Sequence, residues 1–390
     1  MSRQIVTGVA TCLTVAGGLL IAVSLPAAVG AAEAPHEGAG SGWSTISAGG
    51  LYTCGVRPDH TLWCWGDNSV GQLGLGDAKT RTSPIQVGVA SDWVGLATGF
   101  DHTCAIRTDH SLWCWGSDRG GQLGLGPTGK RKAPTQVGAG TDWTGVTAGY
   151  THTCGIRSDH TLWCWGGGSF AGQLGLGDLT DRSSPTQVGT RTDWAMVKAG
   201  DSHTCATRTD HTLWCWGYNG QGQLGLGDFT DRSSPTQVGS RTDWADLSAG
   251  DGYHTCATRT DHTLWCWGHN GVGQLGLGDT TNRTTPSQVG TASDWYGLSA
   301  GHKQTCATRP DHSLWCWGLN NSGQLGVGDT TDRTVPTQVG IGVGWAAVSA
   351  GGSLHTCAIR SDHTLWCWGY NAQGQLGLGD RDNRTVPARV

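Results

Sequence analysis

The chain has 390 residues, of which 65 are glycine and 21 are tryptophan, while charged residues make up only 14 %. Glycine usage in soluble proteins is roughly 7 %, so the chain is strongly enriched in this residue. The absence of a Gly-X-Y period excludes collagen, and the tryptophan content excludes a disordered chain. The net charge is −5 at pH 7, and Lys130, Arg131 and Lys132 form one short basic run. Nucleic-acid binders carry a broader basic patch, so we predict no nucleic-acid partner.

The N-terminus has the pattern of a secretory signal peptide. Arg3 precedes an apolar stretch over 5–25, and small residues follow at 28–32. A short positive region, an apolar region and a small-residue cleavage site are typical of export signals. A membrane anchor is the alternative, since about 20 apolar residues span a bilayer. We predict a signal peptide over 1–32, a flexible tail over 33–42, and a secreted protein without membrane attachment after cleavage.

The rest of the chain is one tandem repeat. The segment Ser-Asp-His-Thr-Leu-Trp-Cys-Trp-Gly at 158–166 recurs in seven copies, at steps of 50 or 51 residues. Three tryptophans per copy account for all 21 in the chain. Self-similarity at a fixed period indicates a repeat architecture. The predicted repeats are approximately 43–92, 93–142, 143–193, 194–243, 244–294, 295–344 and 345–390.

Each copy reads as four short strands. Strand segments are rich in β-branched, aromatic and leucine residues, and the connections carry glycine, aspartate and asparagine. Four strands in a period of about 50 residues are typical of propeller blades. The sequence therefore predicts an all-β protein, a seven-bladed β-propeller of four-stranded blades. In the first copy the predicted strands are 43–48, 53–57, 61–65 and 84–87, with a turn at 58–60 and a glycine-rich excursion at 71–77.

Several residues of each copy resemble a known repeat. They are Trp65-Gly66, Asn68, Gly71-Gln72-Leu73-Gly74 and the later Pro84-x-x-Val87. The pattern is similar to the regulator of chromosome condensation repeat, over residues 43–390, and the resemblance implies a seven-bladed propeller. The family usually has glycine after the turn aspartate, a position where a positive φ would suit glycine better than histidine. This chain has histidine there in all copies: His60, His110, His160, His211, His262, His312 and His363.

The order of strands also allows a specific mode of ring closure. If a blade took its fourth strand from the preceding repeat, the last strand of the chain, within 385–390, would complete the blade that begins at Trp43. Both ends of the chain would then meet in one sheet. We expect this arrangement for the first and last blades.

Fourteen cysteines follow the predicted signal peptide, always two per copy and ten residues apart. The midpoint of the first pair is Asp59, at the centre of the predicted turn, so a hairpin places Cys54 opposite Cys64. Opposed Cα atoms lie roughly 4.5–5.5 Å apart, which suits a disulfide in an exported protein. Buried free thiols are the alternative; metal binding is disfavoured because the spacing differs from zinc sites. The predicted disulfides are Cys54–Cys64, Cys104–Cys114, Cys154–Cys164, Cys205–Cys215, Cys256–Cys266, Cys306–Cys316 and Cys357–Cys367.

The polar motifs argue for structure rather than catalysis. A catalytic site is normally unique, whereas the turn Asp-His pair occurs in every copy, so we assign it a turn role. Asp178 and Asp181 suggest a calcium loop, but such a loop needs more oxygen ligands; aspartate–arginine pairing and turn capping are favoured.

A second set of histidines could bind metal near the axis or form hydrogen bonds between blades, and we favour the latter. We predict no catalytic residue, no metal and no cofactor. This second set is His102, His152, His203, His254 and His355, with Tyr52 and Gln304 in the other two copies.

Differences between the copies fall on one side of the blade. In an up-and-down blade, the 1–2 and 3–4 connections emerge at one end and the 2–3 turn at the other. The turn is nearly constant, whereas the other two connections vary. Exposed aromatic residues are frequent anchors of protein interfaces; the alternative is that some pack onto neighbouring blades. The candidate binding residues in these connections are Tyr52, Phe100, Tyr150, Phe170, Tyr218, Tyr253 and Tyr370.

Together these features predict a secreted, non-catalytic, monomeric scaffold that binds an unknown protein or other macromolecule. The resemblance also implies nucleotide exchange on a small GTPase, although export argues against an intracellular partner. A secreted enzyme inhibitor of the β-lactamase-inhibitor propeller type is a further alternative. Light sensing by tryptophan clusters, as in a plant member of the family, is disfavoured because every tryptophan occupies a repeat-constant strand position.

Overall fold

The structure is a computed structural model that describes residues 42–127, 129–168, 170–342 and 344–390. The predicted signal peptide and nearly all of the predicted tail lie outside the described residues. In the part that is described, no helix is long and apolar enough to cross a membrane. The described chain forms seven four-stranded antiparallel sheets. This confirms the predicted all-β, seven-bladed propeller.

Each blade uses four strands that are consecutive in the sequence. The first strands are β1 (Thr45–Ala48), β5 (Trp93–Thr98), β9 (Trp143–Ala148), β13 (Trp194–Ala199), β17 (Trp244–Ala249), β21 (Leu298–Ala300) and β25 (Trp345–Ala350). The second strands are β2 (Tyr52–Val56), β6 (His102–Arg107), β10 (His152–Arg157), β14 (His203–Arg208), β18 (His254–Arg259), β22 (Gln304–Thr308) and β26 (His355–Arg360). The third strands are β3 (Leu62–Gly66), β7 (Leu112–Gly116), β11 (Leu162–Gly166), β15 (Leu213–Gly217), β19 (Leu264–Gly268), β23 (Leu314–Gly318) and β27 (Leu365–Gly369). The fourth strands are β4 (Arg81–Gln86), β8 (Arg131–Gln136), β12 (Arg182–Gln187), β16 (Arg232–Gln237), β20 (Arg283–Gln288), β24 (Arg333–Gln338) and β28 (Arg384–Arg389).

The first strands surround the propeller axis. Neighbouring first strands contact one another around the whole ring, and β1 contacts both β5 and β25. The fourth strands lie at the rim and are half-exposed. In the first blade, the fourth strand begins at Arg81 rather than at 84, because Arg81 pairs with Gly66. Pro84 lies within this edge strand, the one place in a sheet where a missing N–H group is tolerated.

The hydrophobic core is divided among the junctions between blades. One buried cluster combines Leu62 and Cys64 of the first blade with Trp93 and Trp115 of the second. The rings of Trp93 and Trp115 meet edge to face with centroids 6.0 Å apart. The third tryptophan of a copy is half-buried, and Arg107 lies over Trp113 at 4.1 Å from the ring centroid. All three tryptophans therefore serve packing, two inside the junction and one beneath an arginine.

The cysteines follow the predicted hairpin register. Cys54 pairs directly with Cys64 between β2 and β3, and their sulfur atoms are joined. The Cα atoms of each pair are 4.1–4.2 Å apart in all seven blades. All fourteen side chains are fully buried. Each blade thus has one disulfide across its two central strands.

The Asp-His turn joins each blade to the next. Asp59 accepts hydrogen bonds from the backbone N–H and the hydroxyl of Thr61, which fixes the turn. His60 has a φ of 61°, the left-handed conformation that usually favours glycine. Its Nδ1 lies 3.1 Å from the carbonyl oxygen of Trp93, and the Trp93 N–H donates to the carbonyl of His60. Histidine therefore provides a contact with the next blade that glycine would lack.

The glycine-rich excursion is a clasp on the following blade. We call residues 71–77 and their equivalents the clasp. The carbonyl oxygen of Gln72 accepts hydrogen bonds from the Thr103 hydroxyl at 2.8 Å and from Trp115 Nε1 at 2.9 Å. Gly74 has a φ of +71°, and a Cβ atom there would lie 2.7 Å from Trp115 Nε1. The Gly-Gln-Leu-Gly motif is thus the sequence of an inter-blade contact.

The same contact closes the ring. The carbonyl of Gln375 accepts hydrogen bonds from Thr53 and Trp65 of the first blade, each at 2.9 Å, and the N–H of Gly379 donates to Thr82. The strand β28 pairs with β27 of its own blade, and β4 pairs with β3. The expectation that the C-terminal strand completes the first blade is therefore wrong. No strand exchange is needed, because the clasp of the last blade binds the first blade from outside its sheet.

Candidate binding face

The two ends of the propeller differ in what they present. The antiparallel order places the 1–2 and 3–4 connections together at one end, which we call the loop face. The 2–3 turns emerge at the other end, the turn face. The turn face repeats the same Asp-His turn seven times. The predicted binding residues belong to connections of the loop face, whose sequences vary from blade to blade.

A belt of buried polar side chains lies beneath the loop face, at the start of each second strand. His102 Nε2 lies 2.9 Å from the hydroxyl of Thr153 in the next blade, and that hydroxyl donates its hydrogen to the carbonyl of Gln122. The hydroxyl must therefore accept from the histidine, which fixes the tautomer with hydrogen on Nε2. This confirms hydrogen bonding between blades as the role of these histidines. The members of the histidine belt are Tyr52, His102, His152, His203, His254, Gln304 and His355.

Burial keeps the belt histidines neutral. It lowers the pKa of His102, His203 and His254 to about 3, with further lowering by a neighbouring histidine. It lowers the pKa of His152 and His355 to about 4. In the described part of the chain, no group of three or more histidine, cysteine, aspartate or glutamate side chains is arranged to hold a metal ion. The belt therefore has a structural role: it links adjacent blades beneath the loops.

Tyr52 belongs to this belt and not to the exposed surface. It is fully buried, and its hydroxyl donates to the carbonyl of His102 in the next blade. Tyr52 begins strand β2, so it occupies the position of a belt histidine. The prediction that Tyr52 is part of the binding surface is therefore wrong, for the reason that the 1–2 connection ends one residue earlier, at Leu51.

Five of the other predicted aromatics form two groups of contacting rings. Phe100 and Tyr150 have ring centroids 4.4 Å apart, and Tyr218 lies 5.4 Å from Phe170 and 5.3 Å from Tyr253. Phe170 is 64 % exposed and Tyr150 is 42 % exposed. We call Phe100, Tyr150, Phe170, Tyr218 and Tyr253 the aromatic arc; it spans blades two to five.

Sequence reasoning missed two apolar side chains near the arc. Leu179 and Phe229 are 54 % and 59 % exposed. Both occupy the position directly after the clasp, in blades three and four, where other copies have alanine, threonine or arginine. Variation at that position was the signal that could have identified them. They extend the exposed apolar surface of blades three and four.

A cavity of about 360 Å³ opens at the centre of the loop face. The 1–2 connections of all seven blades contribute to it, and backbone hydrogen bonds such as Gly50 N–H to Gly99 carbonyl link neighbouring connections. Tyr370, the remaining predicted aromatic, lines this cavity instead of joining the arc. The lining residues are Leu51, Phe100, Tyr150, Asp201, Asp251, His302, Gly352, Ser353, Leu354 and Tyr370.

The cavity contains two carboxyl groups that sequence reasoning did not single out. Asp201 and Asp251 occupy the same repeat position as Phe100 and Tyr150, directly after Ala-Gly or Thr-Gly. Burial, together with the charge of the nearby Asp201, raises the pKa of Asp251 to about 7. Burial also raises the pKa of Asp201, while a hydrogen bond from Tyr253 lowers it. The shared repeat position was the signal available in the sequence.

The suggested calcium loops use their carboxylates internally. Asp178 accepts hydrogen bonds from the Thr180 N–H at 2.9 Å and from Arg182 at 2.6 Å. Asp181 accepts from the N–H of Gly168 at 3.0 Å. These contacts are the turn capping and arginine pairing that the sequence favours over calcium binding.

Comparisons with known proteins agree with this geometry. Residues 29–353 match the RCC1-like domain family, and 345–375 and 362–390 match the regulator of chromosome condensation (RCC1) repeat. The ultraviolet-B receptor UVR8 of Arabidopsis thaliana is 32 % identical over 220 residues. That match covers 55 % of this chain and 39 % of the receptor, so the chain spans well under two thirds of that relative.

Solved structures share the fold. Prp20p of Saccharomyces cerevisiae has a TM-score of 0.75 and 20 % identity, over 90 % of this chain and 87 % of that one. Human WBSCR16 has a TM-score of 0.76 and 19 % identity, over 85 % of this chain and 93 % of that one. With the seven-bladed ring, the clasp motif and the match over 29–353 together, the chain belongs to the RCC1-like domain family.

Proposed function

We propose that the protein is an exported, non-catalytic, monomeric scaffold that binds a partner protein through the aromatic arc of its loop face. Its relatives support a protein-binding role: the structure of yeast Prp20p is described with its binding to Gsp1p and histones, and another shows it bound to Kap60. Those partners belong to the yeast protein. For this chain the partner remains to be identified.

The observation that carries the proposal is the position of the arc. Five aromatic side chains from four consecutive blades lie on the variable face in two groups of contacting rings, with Phe170 and Tyr150 exposed by 64 % and 42 %. Aromatic residues that combine a large apolar surface with few rotatable bonds are frequent hot spots of interfaces. The belt and the clasps beneath are constant from blade to blade, so the loops can vary without disturbing the ring.

The disulfides support export. Cytosolic thiols are kept reduced by glutathione and thioredoxin, whereas structural disulfides persist in secreted proteins. Seven disulfides, one in each blade, fit an oxidising compartment. They also argue against nucleotide exchange on an intracellular GTPase. The signal peptide proposed for 1–32 would provide the route.

The experiment compares two surface variants for binding. The arc variant carries Tyr150→Ser, Phe170→Ser and Tyr218→Ser, and the matched control carries Tyr296→Ser, which removes an aromatic of 49 % exposure that stacks on His262 beside the turn face. A partner captured from the growth medium is purified, and its affinity is measured by calorimetry. We expect the arc variant to bind at least 100-fold more weakly, because interface anchors often contribute about 2 kcal/mol or more each. The control should bind as the wild type does.

Folding of both variants is checked by thermal melting and circular dichroism. We expect melting temperatures close to that of the wild type, since surface substitutions usually change stability by about 0.5 kcal/mol or less. A folded arc variant that binds the partner with unchanged affinity would show that the arc is not the interface. The loop at Lys130, Arg131 and Lys132 would then be tested next.

A further inference from the structure

The axial cavity has the size of a small-ligand site. Its volume is about 360 Å³, and a water molecule in the liquid takes up about 30 Å³. The cavity therefore has room for about a dozen water molecules, or for one side chain or small organic molecule. Ligand sites in proteins span roughly 300–1,000 Å³ and combine an apolar wall with a few convergent polar groups.

The wall of the cavity has two chemically different sides. Blades two and three supply the paired rings of Phe100 and Tyr150, and blade seven supplies Tyr370. Blades four and five supply the carboxyl groups of Asp201 and Asp251. Ring faces attract cations through the quadrupole of the π-system, and carboxylates attract them by charge. The two sides therefore favour the same kind of ligand.

The Asp251 carboxyl group reaches across the axis. A Cβ atom placed on Gly352, in blade seven, would collide with Asp251 Oδ2. Glycine at that position leaves the space into which the carboxyl group projects. Among the described residues, no cation contributes to the shift of the Asp251 pKa or forms an ion pair with it. Asp251 is thus a half-buried acid that projects into the cavity, and the described residues provide no basic partner for it.

The charged and titratable groups around Asp251 are few. Asp201 lies on the neighbouring blade and accepts a hydrogen bond from Tyr253. His302 lies on the other neighbouring blade, and burial followed by Lys303 lowers its pKa. Lys303 lowers the pKa of His269, which lies farther from the axis. His302 lowers the pKa of the buried His254. Both carboxyl groups therefore lack the counter-ion that a buried acid normally has.

We propose that the axial cavity binds an organic cation with an apolar body, an alkylammonium group such as a lysine side chain or a free amine. The carboxyl groups of Asp201 and Asp251 would take the charged end, and the rings of Phe100, Tyr150 and Tyr370 would enclose the carbon chain. A metal ion fits less well, since the described residues provide no group of three or more ligating side chains. The cavity belongs to the face of the proposed function, but its test requires no protein partner, so the two proposals can fail separately.

The experiment titrates the protein with two charged probes and one neutral probe. The charged probes are n-butylammonium and N-acetyl-lysine methylamide, and the neutral probe is N-acetyl-norleucine methylamide, which keeps the carbon chain without the charge. Binding is measured by calorimetry at pH 8. We expect both charged probes to saturate one site and the neutral probe to bind at least tenfold more weakly. Tighter binding of the lysine derivative would indicate a peptide source for the cation, and tighter binding of butylammonium a free amine.

Two variants and a control locate the site. Asp251→Asn should weaken the charged probes at least tenfold, and Phe100→Leu, which keeps the apolar volume but removes the ring face, should weaken them severalfold. Asp382→Asn removes the same charge from an exposed loop away from the axis and should leave binding unchanged. Melting temperatures confirm that each variant is folded. Equal binding of the neutral probe, equal affinities of Asp251→Asn and Asp382→Asn, or no binding of either charged probe would each overturn the proposal.

The pH dependence provides a further check. The pKa of Asp251 is about 7 in the free protein, so cation binding should expel a proton at neutral pH. Affinity should rise roughly tenfold between pH 6 and pH 8, and the rise should disappear in Asp251→Asn. Burial lowers the pKa of the nearby His302, and loss of the rise in Asp251→Asn separates the titration of Asp251 from that of His302. An affinity that is independent of pH in the wild type would contradict the role of Asp251.

Discussion

The turn face and the loop face use the same strands for opposite purposes. Every turn repeats Asp-His, and the carbonyl of every turn histidine accepts a hydrogen bond from the N–H of the first tryptophan of the next blade. The loop face carries aromatic side chains on blades two to five and acidic ones on blades four and five. Each repeat therefore contacts the next blade at both ends, but only the loop face has residue positions that make no contact between blades.

On the loop face, only the outermost residues vary in sequence from blade to blade. The histidine belt and the clasps lie beneath the loops and are nearly the same in every blade, because they make the contacts between blades. Only the residues above this layer differ between blades. Three measurements would break or sharpen this distinction.

The largest effect is expected from acid. The belt histidines have pKa values of about 3 to 4 in the folded protein, below the ordinary value of about 6.5. The unfolded chain therefore takes up protons first, and stability is lost as the pH falls below about 6.5. Between pH 6.5 and 5.5 each histidine should cost about 1 kcal/mol, or about 5 kcal/mol for the five. The raised pKa of Asp251 acts in the opposite direction, but through one group.

Urea unfolding at a series of pH values measures this loss. The variant His152→Gln imitates the natural Gln304 copy and should show about four fifths of the pH dependence. A free energy of unfolding that stays constant from pH 7 to pH 5 would show that the belt does not remain neutral.

A second effect separates the clasp from an ordinary loop. A Cβ atom on Gly124 would lie 2.7 Å from Trp165 Nε1, which donates to Gln122, whereas Gly138 has nothing within 4 Å. Both glycines have positive φ values, +71° and +63°, so backbone strain is similar. We expect Gly124→Ala to lower the free energy of unfolding by about 3 kcal/mol. Gly138→Ala should lower it by about 1 kcal/mol, from strain alone.

Chemical denaturation of the two variants gives both numbers. The difference between them, about 2 kcal/mol, is the contribution of the close contact with the next blade. If the two variants unfold alike, the clasp tolerates a side chain and its glycine serves only the backbone conformation.

The smallest effect is expected on the turn face. His110→Gly loses the contact between Nδ1 and the carbonyl of Trp143, about 1 kcal/mol. It also relieves the strain of a φ of 62°, which is again about 1 kcal/mol. The net change in the free energy of unfolding should therefore stay below about 1 kcal/mol, while His110→Ala, which keeps the strain, should lose about 1–2 kcal/mol. Equal losses in both variants would mean that the positive φ at this position costs no measurable strain.

The repeat made the fold predictable, because seven copies agree on one strand pattern and one hairpin register. The midpoint of Cys54 and Cys64 determined which residues face each other. Ring closure was not predictable, since identical fourth strands in every copy offer equivalent partners to each sheet. The structure settles the question, because β28 pairs with β27 of its own blade.

The binding face was predictable in part. Aromatic residues in the variable connections do lie on the loop face, but Tyr52 lies in the belt, where its alignment with the second set of histidines had already placed it. Asp201 and Asp251 escaped notice because acidic residues in loops usually face water. Their neighbourhood is formed by residues from all seven blades that meet at the axis, which no local pattern shows.

The clasp also has a consequence for assembly. Each blade donates its clasp to the next blade and receives one from the blade before, so the contact is head-to-tail, like the interface between subunits of a cyclic oligomer. Head-to-tail interfaces give a closed ring when the rotation per unit completes the circle, and open filaments when it does not. The chain can therefore be regarded as a covalent heptamer. A chain with one blade fewer would present an unfilled clasp at one end and an unclasped blade at the other, two surfaces that would join copies into larger assemblies.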